Sequence, residues 1–204
     1  MLVPSRHRLA LLLGAPLVVA SLGCGGSGDP QPLAVSSTSS GTSSGGPSCG
    51  AAVQPFGIDP GAGESVPDLE VTACDGTRVT LDELRCPASL TLLSVGAGWC
   101  QPCQEEAPML EAAAAELGDE GVVIVQILFE DGDGDPATSL FCQQWTDAFD
   151  LTIPVYVDPL GQSTELFDQA ATPLNVVVDR EGRVLWSTTG LVPDLEDQLR
   201  QLLP

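Results

Sequence analysis

Cys100 and Cys103, with Gln101-Pro102 between them and Trp99 in front, are the residues of this chain best suited to chemistry. Two thiols at that spacing can close a small disulfide without moving the backbone. They follow an apolar run at 90–95 and precede a helical pattern. A helix that starts at Cys100 puts both sulfurs on its first turn, because residues three apart share a face. The unpaired amides and positive dipole of that end favour a thiolate at the first cysteine. A thiolate is the nucleophile of thiol–disulfide exchange, so strand, CxxC and helix in that order read as a redox site. Zinc needs a second cysteine pair or histidines. The chain has one histidine, His7, and no second CxxC, so neither a metal nor a cofactor is expected. A purely structural bridge usually closes a longer loop.

A second motif, Thr172-Pro173, precedes the apolar run 175–178. With it the sequence resembles the thioredoxin superfamily, and within it the exported thiol-disulfide oxidoreductases of the TlpA/ResA type, also known as redoxin or AhpC/TSA-like domains. Gly63-Glu64-Ser65-Val66-Pro67-Asp68-Leu69 matches the opening of such domains, and Cys74-Asp75-Gly76 their first hairpin turn. Ala171-Thr172-Pro173, then Val176-Val177-Val178-Asp179-Arg180-Glu181-Gly182-Arg183, matches their cis-proline strand and acidic hairpin. The resemblance spans residues 63–203. It implies that Cys100 is the exposed, attacking thiol and that Cys103 resolves the mixed disulfide. Trp99 covers the site, and Glu106 tunes the thiol pKa and relays protons. Thr172-Pro173 sits opposite the sulfurs with a cis bond, presenting the backbone of residue 172 to a substrate strand. Partners are then protein thiols or disulfides outside the cytoplasm and a membrane electron donor. One departure stands out: Ser94-Val95-Gly96-Ala97-Gly98 occupies the place of an aromatic pair, which predicts a more open site.

The elements that position these residues read from periodicity. Residues 69–72 and 78–80 form a hairpin around Asp75-Gly76, and 81–85 one helical turn. The run at 90–95 is a buried strand. Ala107, Leu110, Ala114 and Leu117 give the next helix one apolar face, with Pro108 inside it and Gly118 and Gly121 at its end. A second buried strand at 122–129 is followed by an acidic loop from Glu130 to Pro136, read as solvated because the twelfth calcium-loop position is Cys142 and not glutamate. Residues 139–149 form a helix with Leu140, Trp145 and Phe149 inward. A strand at 153–157, a helical turn at 164–169 and a hairpin of 175–178 with 183–187 follow. A last helix at 193–203 has Pro193 in its first position and Leu195, Leu199 and Leu202 inward. The order predicts an α/β fold, a thioredoxin-like three-layer α/β/α sandwich with a central mixed sheet and an N-terminal β-hairpin.

The chain has 204 residues, 28 acidic and 7 basic side chains, and a formal charge of −21. Such a surface repels nucleic acid and anionic headgroups. Arg6, His7 and Arg8 precede the apolar run 9–22, a signal-peptide pattern. It ends in Ser21-Leu22-Gly23-Cys24, which resembles a bacterial lipobox. The expected organisation is a signal peptide at 1–23, a lipidated Cys24 with a Gly/Ser-rich tether at 24–48, and the thioredoxin-like domain at 49–204. The protein is then exported, periplasmic or outer-membrane-associated, and held to a membrane by its lipid. Setting aside Cys24 and the CxxC pair leaves four of the seven cysteines, Cys49, Cys74, Cys86 and Cys142. In an oxidising compartment they predict two structural disulfides, with three connectivities open; Cys74–Cys86 with Cys49–Cys142 is one. The function expected is an exported thiol-disulfide oxidoreductase, more a reductant than an oxidant. A peroxiredoxin needs a lone peroxidatic cysteine with nearby Pro and Thr or Ser, and a copper carrier of the Sco type a histidine. A non-catalytic binding lipoprotein on the same scaffold is the alternative, since fold alone does not prove activity.

Overall fold

The computed structural model describes residues 63–66, 68–166 and 171–204. The expected signal segment, Cys24, the tether and Cys49 lie outside them. Strands Glu70–Ala73 (β1) and Arg78–Thr80 (β2) pair antiparallel. Their turn is the expected one: the Asp75 carboxylate accepts the Thr77 amide at 2.8 Å. Gly76 takes a φ of 88°, which residues with a Cβ rarely adopt. Thr80 then starts Leu81–Arg85 (α1), its hydroxyl and the Glu83 carboxylate closing a capping box.

Strand Leu90–Ala97 (β3) is buried at every position, as a strand covered on both faces must be. Helix Gln101–Leu117 (α2) runs on through Pro108 and leads to strand Val122–Glu130 (β4). Helix Ser139–Phe149 (α3), strand Val155–Val157 (β5) and helix Gln162–Leu166 (α4) come next. Strands Leu174–Asp179 (β6) and Val184–Thr189 (β7) and helix Leu195–Leu202 (α5) complete the domain. The sheet order is β2-β1-β5-β4-β3-β6-β7. Pairs β3–β4 and β4–β5 are parallel and the rest antiparallel, which makes the sheet mixed, as expected. Side chains alternate across it. Leu92, Ile124 and Leu128 meet α2, α3 and α5 on one face; Leu93, Val95 and Val125 meet Leu81 of α1, Val66 and Leu69 on the other. Those two layers around the sheet are the predicted sandwich.

Three expectations about the elements need correction. Leu140 is 64 % exposed. It lies about 140° around the helix from Trp145, and α3 turns Cys142 and Trp145 to the core instead. Helix α5 begins at Leu195, so Pro193 precedes it and is not its first residue. Leu195 and Leu199 are buried as expected. Strand β5 starts at Val155 and not at 153, because Ile153 is held outside the ladder by the Glu111 carboxylate, which accepts its amide and that of Thr152.

Candidate active site

The strand β3 delivers the CxxC to the start of α2. After Ala97 the chain turns, with the Cys100 amide donating to the Ala97 carbonyl. Cys100 is the N-cap of α2: its backbone is extended and its Sγ accepts the Cys103 amide at 3.1 Å. An N–H directed at that sulfur is the contact that stabilises a thiolate once the bond opens. Pro102, in the first turn, needs no amide partner. Cys100 and Cys103 form a disulfide with an S–S distance of 2.04 Å and a Cα–Cα distance of 5.2 Å, within the range a relaxed backbone spans. Cys103 is fully buried over Gly96; a Cβ on that glycine would lie 2.9 Å from Cys103 Sγ.

Glu106 lies one turn beyond Cys103 on the buried face of α2. Helix and strand run in opposite directions, so the step from Cys103 to Glu106 retraces the strand from Gly96 to Ser94. Ser94 Oγ donates to Glu106 Oε2 at 2.8 Å, and Asn175 Nδ2 donates to Oε1 at 2.7 Å. Ser94 and Asn175 are direct cross-strand neighbours on β3 and β6, and all three side chains are fully buried. Desolvation by burial pushes the Glu106 carboxyl above its usual pKa, and the hydrogen bonds from Asn175 and Ser94 pull the other way. Gln126 continues the same row on β4, beside Ser94, and accepts the Trp145 indole N–H at 2.7 Å.

The Thr172-Pro173 bond is cis, as expected. Leu174 pairs with Val95, which sets Pro173 level with Gly96 at the CxxC end of the sheet. Trp99 is 50 % exposed. Its indole N–H donates to Glu130 at 2.7 Å and its ring meets Phe129 edge-on at 6.4 Å. It flanks the CxxC on the β4 side and is not a core residue.

The expectations of an exposed Cys100 and an open site are corrected: Cys100 is only 3 % exposed. The small residues before the CxxC admit neighbours instead of solvent. Gly96 receives Cys103, and Gly98 receives the 131–132 backbone and Phe141, whose nearest atoms lie 2.5–2.6 Å from where a Cβ would stand.

The remaining cysteines pair differently from the Cys74–Cys86 example. Cys74 is bonded to Cys142 across a sequence separation of 68. Strand β1 pairs with β5, which turns Cys74 towards the Val155 carbonyl and α3 and away from α1. Cys86 is also disulfide-bonded; Cys49 lies outside the described residues. Among the described residues no cluster of three or more His, Cys, Asp or Glu is placed to hold a metal ion. Ser94, Asn175 and Gln126 were not singled out from the sequence. Their signal was there: each is a polar residue inside an otherwise apolar strand.

Residues 62–187, more than half of the chain, match the AhpC/TSA family. The thiol-disulfide oxidoreductase ResA of Bacillus thuringiensis subsp. konkukian is 24 % identical over 144 residues, covering 70 % of this chain and 79 % of that protein. The thioredoxin domain of a thiol-disulfide oxidoreductase from Bacteroides vulgatus superposes with a TM-score of 0.60 at 16 % identity, over 71 % of this chain and 99 % of that domain. The exposed lipoprotein thioredoxin of Streptococcus pneumoniae superposes with a TM-score of 0.56 at 25 % identity, over 67 % of this chain and 98 % of that one.

Proposed function

Because the chain belongs to the AhpC/TSA family, as a TlpA/ResA-type member of the thioredoxin superfamily, we propose that it is a thiol-disulfide oxidoreductase whose working pair is Cys100 and Cys103. The observation that carries this reading is the Cys100–Cys103 disulfide at the N-terminus of α2, one turn from a buried carboxyl. Cys100 is the attacking thiol, since its sulfur receives the helix-end amide. Cys103, beneath it, resolves the mixed disulfide. Thr172 and Pro173, at the CxxC end of the sheet, offer backbone to an extended substrate segment, with Trp99 at the rim.

The direction is reductive. A carboxylate beside a thiol raises its pKa. The thiolate is then a poorer leaving group, and the oxidised pair resists reduction. Its substrates are disulfides of proteins outside the cytoplasm, and a membrane partner returns the electrons. The signal pattern at 1–23 and the lipobox at Cys24 support export and a lipid anchor; Cys49, Cys74, Cys86 and Cys142 serve as structural disulfides.

The test is equilibration of the Cys100–Cys103 pair against glutathione and dithiothreitol buffers. A potential well below that of strong oxidants, which work near about −120 mV, is expected, and exchange should vanish in Cys100→Ser. A potential near that value reverses the direction. A pair that never exchanges leaves a binding module in place of an enzyme. Fatty-acid labelling that disappears in Cys24→Ala tests the anchor.

A further inference from the structure

A groove lies at the end of the sheet opposite the CxxC, where β3 enters at Leu90 beside Asp179 at the close of β6. It encloses about 370 Å³, and its apolar wall is formed by Pro87, Ala88, Leu90, Leu185, Leu202 and Pro204. Such a wall gains free energy when it is covered. Two anchors bring one segment of this chain to it. The first is Cys86, next to Pro87. Its amide donates to the Asp82 carbonyl, and its own carbonyl accepts Arg180 Nε at 3.1 Å, so its backbone is fixed. Cys86 is disulfide-bonded, and the Cys74–Cys142 and Cys100–Cys103 bonds use four of the other six cysteines. Its partner is therefore Cys24 or Cys49, and a lipid carried on the Cys24 sulfur leaves only Cys49.

The second anchor is Gly63. Its amide donates to the Val184 carbonyl at 2.7 Å, and the Val184 amide donates to the Glu64 carbonyl. Val184 adjoins Leu185 of the groove wall. Residues 50–62 thus start beside one wall of the groove and end beside another. Extended, they reach roughly 45 Å, enough to cross it. Their composition suits an apolar wall. Val53, Phe56 and Ile58 fall within six residues, and Asp59 is the one charge between 50 and 62. The Gly/Ser-rich stretch at 25–48 has no aromatic residue. Leaving Val53, Phe56 and Ile58 in water costs free energy that a groove between the two anchors recovers.

We propose that residues 50–62 dock in this groove, with Phe56 as the anchoring side chain and a Cys49–Cys86 disulfide as the clamp at their start, so that the membrane tether joins the domain at the end of the sheet opposite Cys100. This rests on the lipid-anchored reading of Cys24. The free tether is then 25–48. Strand β3 runs from Leu90 at the groove to Ala97 before the CxxC, a span of about 23 Å. The tether therefore starts about one sheet length from the sulfurs that substrates must reach, and Trp99 and the cis Thr172-Pro173 bond stay clear of its attachment.

The experiment uses the full lipidated chain in its oxidised form. Non-reducing peptide mapping should find Cys49 joined to Cys86. Thermolysin then compares two like bonds, Ala34–Val35 in the tether and Ala52–Val53 in the segment, each read by mass. Cleavage of a docked segment waits on its release. Burial of one phenylalanine is enough to slow Ala52–Val53 by about tenfold relative to Ala34–Val35. Phe56→Asp keeps the disulfide and should bring the two rates to within about twofold, with exchange at Cys100–Cys103 unchanged. If Phe56→Asp does not fold, Ile58→Asp read in the same way decides. Equal rates in wild type, or a slow Ala52–Val53 bond that Phe56→Asp does not speed, overturn the docking. Protection that grows with protein concentration gives the groove to a second copy and overturns it too. Equal rates with the Cys49–Cys86 bond in place remove this inference alone; a Cys24–Cys86 bond removes the lipid anchor with it.

Discussion

Replacing Glu106 with glutamine should stabilise the oxidised protein at neutral pH while slowing exchange. The carboxyl is fully buried, and loss of water is the largest influence on it. Its two hydrogen bonds favour the ion by about 1.5–3 kcal/mol each, whereas removing a carboxylate from water costs several kcal/mol. The balance falls against the ion, and the folded-state pKa lies above 4.5. The folded protein therefore binds this proton more tightly than the unfolded chain does. Below pH 4.5 both states are protonated and the group costs nothing. As pH rises from there to the raised folded pKa, only the unfolded chain releases its proton, and stability falls by at most about 1.4 kcal/mol per pH unit. Above the folded pKa the loss is complete. Glutamine is nearly the same size and does not titrate, and its amide can serve both Ser94 and Asn175. Urea unfolding of the oxidised protein at a series of pH values measures the difference between variant and wild type. It should be small in acid, grow across that window and then level off, with an unchanged denaturant slope. A difference that is flat with pH, or that turns in favour of wild type as pH rises, would show that the fold stabilises the carboxylate and would refute the reasoning.

Gly98→Ala puts a Cβ within 2.6 Å of Asp131 and Gly132 backbone atoms, which cannot step aside as a side-chain tip does. The expected cost is about 1–3 kcal/mol in a urea titration, with faster alkylation of reduced Cys100 as its cover loosens. Removing both Cys74 and Cys142 opens a bridge with a sequence separation of 68 and should lower stability by about 4 kcal/mol, seen as a lower Tm, while the Cys100–Cys103 potential stays in place. Trp145→Phe puts a smaller aromatic ring in the core and leaves Gln126 Oε1 without its donor, beside an Nε2 that already lacks a partner. A loss of about 1–3 kcal/mol is expected by thermal unfolding, and an unchanged Tm would mean that Gln126 finds another partner.

Local features carried most of the architecture into the sequence. The Asp75-Gly76 turn, the unbroken apolar run of β3, the three-and-four spacing of Ala107, Leu110, Ala114 and Leu117, and the CxxC between strand and helix depend on residues close in the chain. Each was therefore legible there, and so was the order of the elements. The Cys100–Cys103 disulfide was legible for the same reason, because the two sulfurs meet within one helical turn. Contacts between distant segments were decided by the tertiary structure alone. Pairing of β3 with β6 brings Ser94 to Asn175 and makes both the partners of Glu106; in the sequence they are three unrelated polar residues. The register of β1 on β5 chose Cys142 for Cys74, where counting cysteines left three possibilities. Gly96 and Gly98 read as openings, and packing made them contacts, because a missing Cβ in a close-packed interior is filled by whatever lies opposite. The sequence by itself determined which two sulfurs can meet and which elements carry them. How deeply those atoms are buried, and which groups hold the carboxyl one turn beyond them, follows from long-range register and packing, which no local pattern of residues encodes.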